Sequence, residues 1–248
     1  YLAIAGVLHG IGHKDARPVP PVNLVGDYGG GGMLLAVGVL AALVEASRSG
    51  KGQVIDAAMI DGAAQLQSVL YGLMAMGLWS TKRGTNILDS GCFYYDTYET
   101  ADGKYMSVGA LEPKFFAELL KGVGLDASDF PERENPKHWP TYRQKLEAVF
   151  RTKSRDDWSK IFAGTDACVA PVLTLEEAAT AEQAIERDAF VVSGGFAQPA
   201  PAPRFSRTPS TVQGPPGASG ENTVDVLKSY GWSSNDIEAL IHAGAAKR

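Results

Sequence analysis

Apolar residues crowd the first third of the chain and then give way to shorter, alternating patterns. Tyr1–Leu8 is apolar and reads as the end of a buried helix, followed by His9 and His13 in a glycine-punctuated turn. The segment Arg17-Pro-Val-Pro-Pro-Val22 is an extended connector, because each proline fixes φ and disfavours helix in the residue before it. Met33–Val44 is an apolar run that predicts a buried helix, too short to span a membrane and closing near Ser47-Arg-Ser-Gly-Lys-Gly52. The four glycines 29–32 in front of it predict a turn. Gln53–Ala57 is a short strand candidate. Met59–Trp79 is helical by period, with Asp61, Gln65 and Ser68 on one stripe and an apolar surface elsewhere. A helix of that kind has to be covered, as a bridge between domains or a dimer contact.

From Asn86 the pattern changes. Phe93–Glu99 and Lys104–Gly109 are β-rich and flank Ala101-Asp-Gly103, which predicts a hairpin. Glu112-Pro113 opens a helix to about Lys121, with proline in the first turn where it is tolerated. Further helices are predicted at 139–150 and 154–162, the second with Ser154 and Asp157 as a capping pattern. Ala167–Leu173 predicts a buried strand and Thr174 the start of another helix. Gln198–Pro216 is proline-rich and extended. Two short helices, near Asn222–Tyr230 and Ser233–Ala243, close the chain.

The fold class expected is α/β. Residues 1–57 belong to a larger domain, 58–92 form a linker helix and loop, 93–200 make a small α+β domain, and 201–248 return to the larger one.

Composition narrows the partners. The chain is 45% hydrophobic and 21% charged, with a net charge of −5 and no basic tract, which argues against nucleic acid. Two cysteines, Cys92 and Cys168, are too few for a disulfide framework and fit a reducing, cytoplasmic setting. Four scattered histidines form no metal-ligand spacing, so no metal is expected. The chain opens in mid-element without an initiator Met and reads as the C-terminal part of something longer.

The one carboxylate set for chemistry is Asp27, in Asn23-Leu-Val-Gly-Asp-Tyr-Gly-Gly-Gly-Gly-Met33. At the mouth of a helix, unpaired backbone N–H groups gather and favour negative charge. Asp27 is either an acid/base there or simply a helix cap. The glycines do not complete a dinucleotide fingerprint, since Leu34 stands where its last glycine belongs. Residues 45–52 do not complete a phosphate loop, lacking the glycine at Glu45 and the hydroxyl at Gly52.

Several stretches together resemble the family III CoA-transferases, in particular the α-methylacyl-CoA racemase branch. They are Asn23–Gly31, Gly50-Lys-Gly-Gln-Val-Ile-Asp56, Gly84-Thr-Asn-Ile-Leu-Asp89, Tyr94-Tyr-Asp-Thr-Tyr-Glu99, Val108-Gly-Ala-Leu-Glu-Pro113, Asp166-Ala-Cys-Val-Ala-Pro-Val172 and Pro201-Ala-Pro-Arg-Phe205. They occur in family order. The resemblance implies a Rossmann-like large domain, a small domain, and two subunits interlocked as a homodimer, with each site between the large domain of one and the small domain of the other. It implies acyl-CoA as substrate, with coenzyme A part of that substrate, no separate cofactor and no membrane partner.

By motif, the resemblance assigns catalysis to Asp27, backed by Glu112, opposite a histidine that would lie just before Tyr1. Tyr1 matches the last residue of that histidine's segment and is carried as a CoA-binding position, while His9 is a structural turn residue. The family commonly has Gly-Gly-Ala-Pro where this chain has Ser90-Gly-Cys-Phe93. Cys92 as a nucleophile would need a base that the sequence does not place beside it. A thioester makes its α-hydrogen acidic, and inverting that carbon needs an acid/base group on each face. Met59, Met74 and Met76 suit either a flexible acyl chain or plain core packing. Two other readings stay open: a CoA transferase with Asp27 as nucleophile, and a non-catalytic acyl-CoA-binding fragment.

Overall fold

A computed structural model describes residues 1–215 and 217–247. Pro216, the last residue of the expected proline-rich segment, lies outside them, as does Arg248. The contacts divide the chain into two compact units, Tyr1–Val172 and Leu173–Arg248. That division marks contacts within one chain and does not coincide with the boundaries expected at 57, 92 and 200.

In the first unit, helical structure begins at Leu24, earlier than expected. Leu24–Met33 is π-helical, with Tyr28 N–H donating to the Asn23 carbonyl at 3.2 Å, and runs straight into α1, Leu34–Ser49. The glycines predicted as a turn are therefore helical, and none of the four has a positive φ. They permit close approach instead: a Cβ on Gly30 would lie 2.6 Å from the Ala63 backbone nitrogen. Asp27 still stands in the first turn. The helix is not buried. Leu35, Val37, Leu40, Leu43 and Val44 are all exposed within this chain. Its 26 residues, Leu24–Ser49, are also long and apolar enough to cross a membrane, which corrects the length read from the apolar run alone.

Gln53–Ala57 is unpaired and exposed rather than a strand; Ile55 has its Cγ2 against Gly38 of α1, where a Cβ would lie 3.2 Å away. The expected helix 59–79 is broken into α2, Met59–Gln65, and α3, Ser68–Ala75. The break at Leu66–Gln67 lets α2 lie against the π-helical stretch, with Gly62 and Ala63 buried there.

The hairpin is as predicted. Strand β1, Tyr95–Glu99, pairs antiparallel with β2, Tyr105–Gly109, in the register Thr97 opposite Ser107. Gly103 supplies the positive φ of 73° in the turn. β2 also pairs antiparallel with β3, Val169–Pro171, the shortened form of the strand expected at 167–173. Three helices cover this sheet: α4, Pro113–Val123; α5, Trp139–Phe150; and α6, Arg155–Phe162. Pro113 starts α4 and left-handed Gly124 ends it, while Ser154 Oγ accepts from the Asp157 amide to cap α6. Alternation along the strands turns Tyr98, Met106 and Val108 inward against Phe116, Leu119, Leu146, Phe150 and Trp158. This cluster, drawn from residues 92–167, is the core of the first unit.

The second unit holds α7, Leu175–Thr180, with a Thr174/Glu177 capping box, and α8, Glu182–Glu186. The hairpin β4–β5 follows, Phe190–Ser193 with Phe196–Pro199, and then α9, Thr223–Ser229, and α10, Ser234–His242. The α/β character holds; every strand pair among the described residues is antiparallel.

Candidate active site

Asp27 is exposed, in the first turn of the helical run, where free amides and the helix dipole favour a negative charge. Its position is fixed by the backbone around it. A Cβ on Gly26 would lie 3.4 Å from Met59 Sδ, and one on Gly30 would run into the Gly62–Ala63 backbone, so the turn bearing Asp27 is packed closely on α2.

Glu112 is the N-cap residue of α4, in extended conformation (φ −74°, ψ 144°), with its side chain exposed and making no capping hydrogen bond. The Phe116 amide donates to its carbonyl at 3.0 Å. Cys168, at a positive φ of 53°, is its neighbour. Burial, together with the charges of Glu112 and Asp166, pushes the Cys168 thiol up, so it is not an activated nucleophile. Asp27 and Glu112 both lie in the first unit, but no hydrogen bond joins them among the described residues, and both stand open to solvent in the single chain.

Tyr1 is 73% exposed, and its carbonyl accepts from the Ile4 and Ala5 amides at 3.1 and 2.9 Å. His9 is held as a structural residue: its Nε2 lies 2.9 Å from the Thr81 carbonyl oxygen. Arg83 binds the same loop, donating to the carbonyls of His9 (2.8 Å), His13 (3.3 Å) and Ala16. Between loop 10–13 and segment 79–90 lies a cavity of about 480 Å³, lined by Gly12, His13, Trp79, Leu88 and Asp89 among others.

The loop 84–93 is tied together by hydrogen bonds to Asp89. Asp89 accepts from the amides of Gly84, Asn86 and Gly91 and from the Asn86 side chain. Ser90 takes a φ of +64°, and a Cβ on Gly91 would lie 2.5 Å from the Asn86 amide nitrogen. Cys92 and Phe93 are wholly buried. Desolvation drives the Cys92 thiol up to about 12, which removes it as a nucleophile. Where the family commonly has Gly-Gly-Ala-Pro, this chain therefore has a positive-φ serine and a buried Cys92–Phe93 pair. Ser90 and Cys168 also border an open groove of about 320 Å³ with Tyr95, Asp96, Thr97 and Ser107.

The model of CoA-transferase family III matches residues 1–223. The chain belongs to CoA-transferase family III. It is 48% identical over 242 residues to the alpha-methylacyl-CoA racemase of Mus musculus, covering 97% of this chain and 64% of that protein. The alpha-methylacyl-CoA racemase of Homo sapiens is 42% identical over 243 residues, covering 97% and 63%. The chain therefore spans less than two thirds of the length of these racemases. Among solved structures, a CAIB/BAIF family protein from Brucella suis aligns with a TM-score of 0.71 at 20% identity, over 92% of this chain and 61% of that one. A hypothetical protein from Mycobacterium tuberculosis aligns with a TM-score of 0.68 at 23% identity, over 91% and 61%. Both show the fold alone.

Within this family III chain, sequence reasoning named Asp27 and Glu112 as candidates and did not see the contacts packed beside the Glu112 segment. The Tyr94 hydroxyl donates to Glu134 Oε2 at 2.5 Å, and Glu134 binds Arg133. Burial opposes the charge on Glu134, but Tyr94 and Arg133 outweigh it and hold the carboxyl below its usual range. Neighbouring opposite charges at 133 and 134 signal nothing on their own, since such pairs are common on solvated surfaces.

Proposed function

We propose that the complete protein racemises 2-methylacyl-CoA thioesters by 1,1-proton transfer through an enolate. The observation that carries this is the identity of 48% and 42%, over 97% of the chain, to two alpha-methylacyl-CoA racemases. Asp27, with Glu112, takes and returns the α-proton on one face of the substrate. A histidine supplied by the part of the racemase fold outside this chain acts on the other. Carboxylate and imidazole suit the two roles near neutral pH. Backbone amides at the start of the helix bearing Asp27 stabilise the enolate oxygen. Coenzyme A arrives with the substrate and no further cofactor is used. Tyr1 contributes to the CoA site.

Among the described residues the two carboxylates do not bond within one chain, which favours a site closed by a second subunit: Asp27 from the large domain of one and Glu112 from the small domain of the other. The exposed apolar residues of α1 and α3, including Leu40, Leu43, Val69 and Tyr71, are the surface such an interlocked homodimer and the rest of a Rossmann-like large domain would cover. The backbone packing of Leu24–Met33 on α2 favours a protein core over a membrane for this helix. The enzyme is assigned to the cytoplasm.

The test uses the full-length enzyme with Asp27→Asn. Racemisation should slow by about 10²-fold or more with acyl-CoA binding kept. One 2-methylacyl-CoA enantiomer should still exchange its α-hydrogen with D₂O and the other should not. A hydroxylamine-trappable adduct on Asp27, without α-hydrogen exchange, would instead make the protein a CoA transferase. No exchange of either enantiomer by the unaltered full-length protein would leave only acyl-CoA binding.

A further inference from the structure

The backbone entering Glu112 is held through both the amide and the carbonyl of Leu111, although the Glu112 side chain makes no hydrogen bond among the described residues. The Leu111 amide donates to the Gly109 carbonyl at 2.9 Å, and the Leu111 carbonyl accepts from Arg133 Nη2 at 2.9 Å. Arg133 lies in no helix or strand, yet its side chain is only 14% exposed. Its guanidinium carbon sits 4.3 Å from the Tyr94 ring centre and 4.7 Å from that of Phe116, one turn along α4 from Glu112. Glu134 Oε1 accepts from Nε at 2.7 Å and from Nη2, and the Tyr94 hydroxyl holds the other oxygen of Glu134. The Trp139 indole N–H donates to the Arg133 carbonyl at 2.9 Å.

This is an expensive way to fill the space between two rings. The Nη1 of Arg133 is buried without a hydrogen-bond partner, and an unmet buried donor costs free energy that an apolar side chain of similar volume would not. What an apolar residue cannot supply is the donor to the Leu111 carbonyl. We propose that Arg133 is a positioning residue for the reaction: clamped by Tyr94 and Glu134, it fixes the Leu111–Glu112 backbone and so aims the Glu112 carboxylate at the substrate. The inference rests on the reading of Glu112 as part of the acid/base pair. Glu134 neutralises the guanidinium, which leaves Arg133 acting through geometry rather than as a free charge beside the site.

The experiment uses the full-length enzyme. Arg133→Met fills the space between Tyr94 and Phe116 without the donor, and Arg133→Lys restores a cation and a donor. Arg133→Met should lower kcat for racemisation by about 10- to 100-fold, the scale of a misplaced catalytic group, with KM nearly unchanged. It should also speed amide exchange at Phe116, whose N–H donates to Glu112, relative to amides in α6. Arg133→Lys should recover part of both. Combined with Glu112→Gln, Arg133→Met should add less than about twofold to the loss, since both act on one group. Full multiplication of the two losses, or unchanged kcat in Arg133→Met, overturns the proposal. If Glu112→Gln alone racemises at the normal rate, the reading of Glu112 has failed and the catalytic role falls with it. Phe116 exchange then separates the two failures, because acceleration in Arg133→Met shows the backbone clamp standing without a catalytic purpose. Should Arg133→Met not fold, Tyr94→Phe, which frees Glu134 but keeps the ring, must give the same kcat loss in smaller measure; normal kcat there overturns the clamp.

Discussion

Gly62 and Gly30 meet backbone to backbone: a Cβ on Gly62 would fall 1.8 Å from the Gly30 carbonyl oxygen. Neither residue has a positive φ, so glycine is required here for closeness and not for a left-handed turn. The contact presses the turn that carries Asp27 onto α2, which links a packing detail to the candidate site.

Gly62→Ala should therefore destabilise the protein by about 1–3 kcal/mol, the cost of overpacking, and disturb Asp27. Gly72→Ala, in α3 with nothing within 4 Å of the new Cβ, should instead stabilise it by about 0.5–1 kcal/mol. Urea unfolding of the two variants checks the pair; equal effects would mean the helices separate freely.

Ser90 holds a left-handed φ of +64° without being glycine. A left-handed residue costs about 1–2 kcal/mol, and glycine returns part of that as chain entropy. Ser90→Gly should raise stability by about 0.5–1 kcal/mol on that balance. A fall in the unfolding midpoint would show that the serine side chain compensates.

Arg143 ties the same loop to the hairpin. Its Nη2 reaches Asp96 at 3.0 Å, with the Asp96 side chain 9% exposed, and donates to the carbonyls of Ser90 and Gly91 at 2.5 and 3.3 Å. Arg143→Met removes the ion partner of a mostly buried carboxylate, leaving it the Thr97 amide at 2.8 Å, and should cost about 3 kcal/mol. The double variant with Asp96→Asn should lose less than the sum of the single losses, a result thermal denaturation of all three variants can read.

Cys92 gives a pH signature. Burial raises its thiol from 9.0 to about 12, so above pH 9 the unfolded chain releases a proton the folded protein keeps. The thiol's contribution is full below pH 9 and is lost as pH rises toward 12, at about 1.4 kcal/mol per pH unit at most. Stability should fall more steeply from about pH 8 to about pH 10.5 in the unaltered protein than in Cys92→Ala. Buried Tyr94 and Tyr98 are also raised and keep part of the slope in both. Parallel curves would show that the thiol ionises freely.

The sequence by itself determined the region from 93 to 174 almost element by element. Alternation, the Ala101-Asp-Gly103 turn, Pro113 at a helix start and Ser154 at a cap are local signals, and here they agree with the packing they specify. It also identified the family, because ordered motifs need no coordinates, and it put Asp27 and Glu112 forward as the candidate carboxylates. The first 91 residues were less legible. Hydropathy marks Met33–Val44 as apolar but cannot say what covers it, and within one chain α1 is exposed. Glycine is permissive in turn and helix alike, so only the close contact with α2 made Gly29–Gly32 helical. Gln53–Ala57 has strand composition, but a strand needs a neighbour and none pairs with it among the described residues. The Arg133 clamp on Leu111 joins residues 22 positions apart, a contact that only the tertiary fold decides, since a buried guanidinium and an exposed one are written with the same letter.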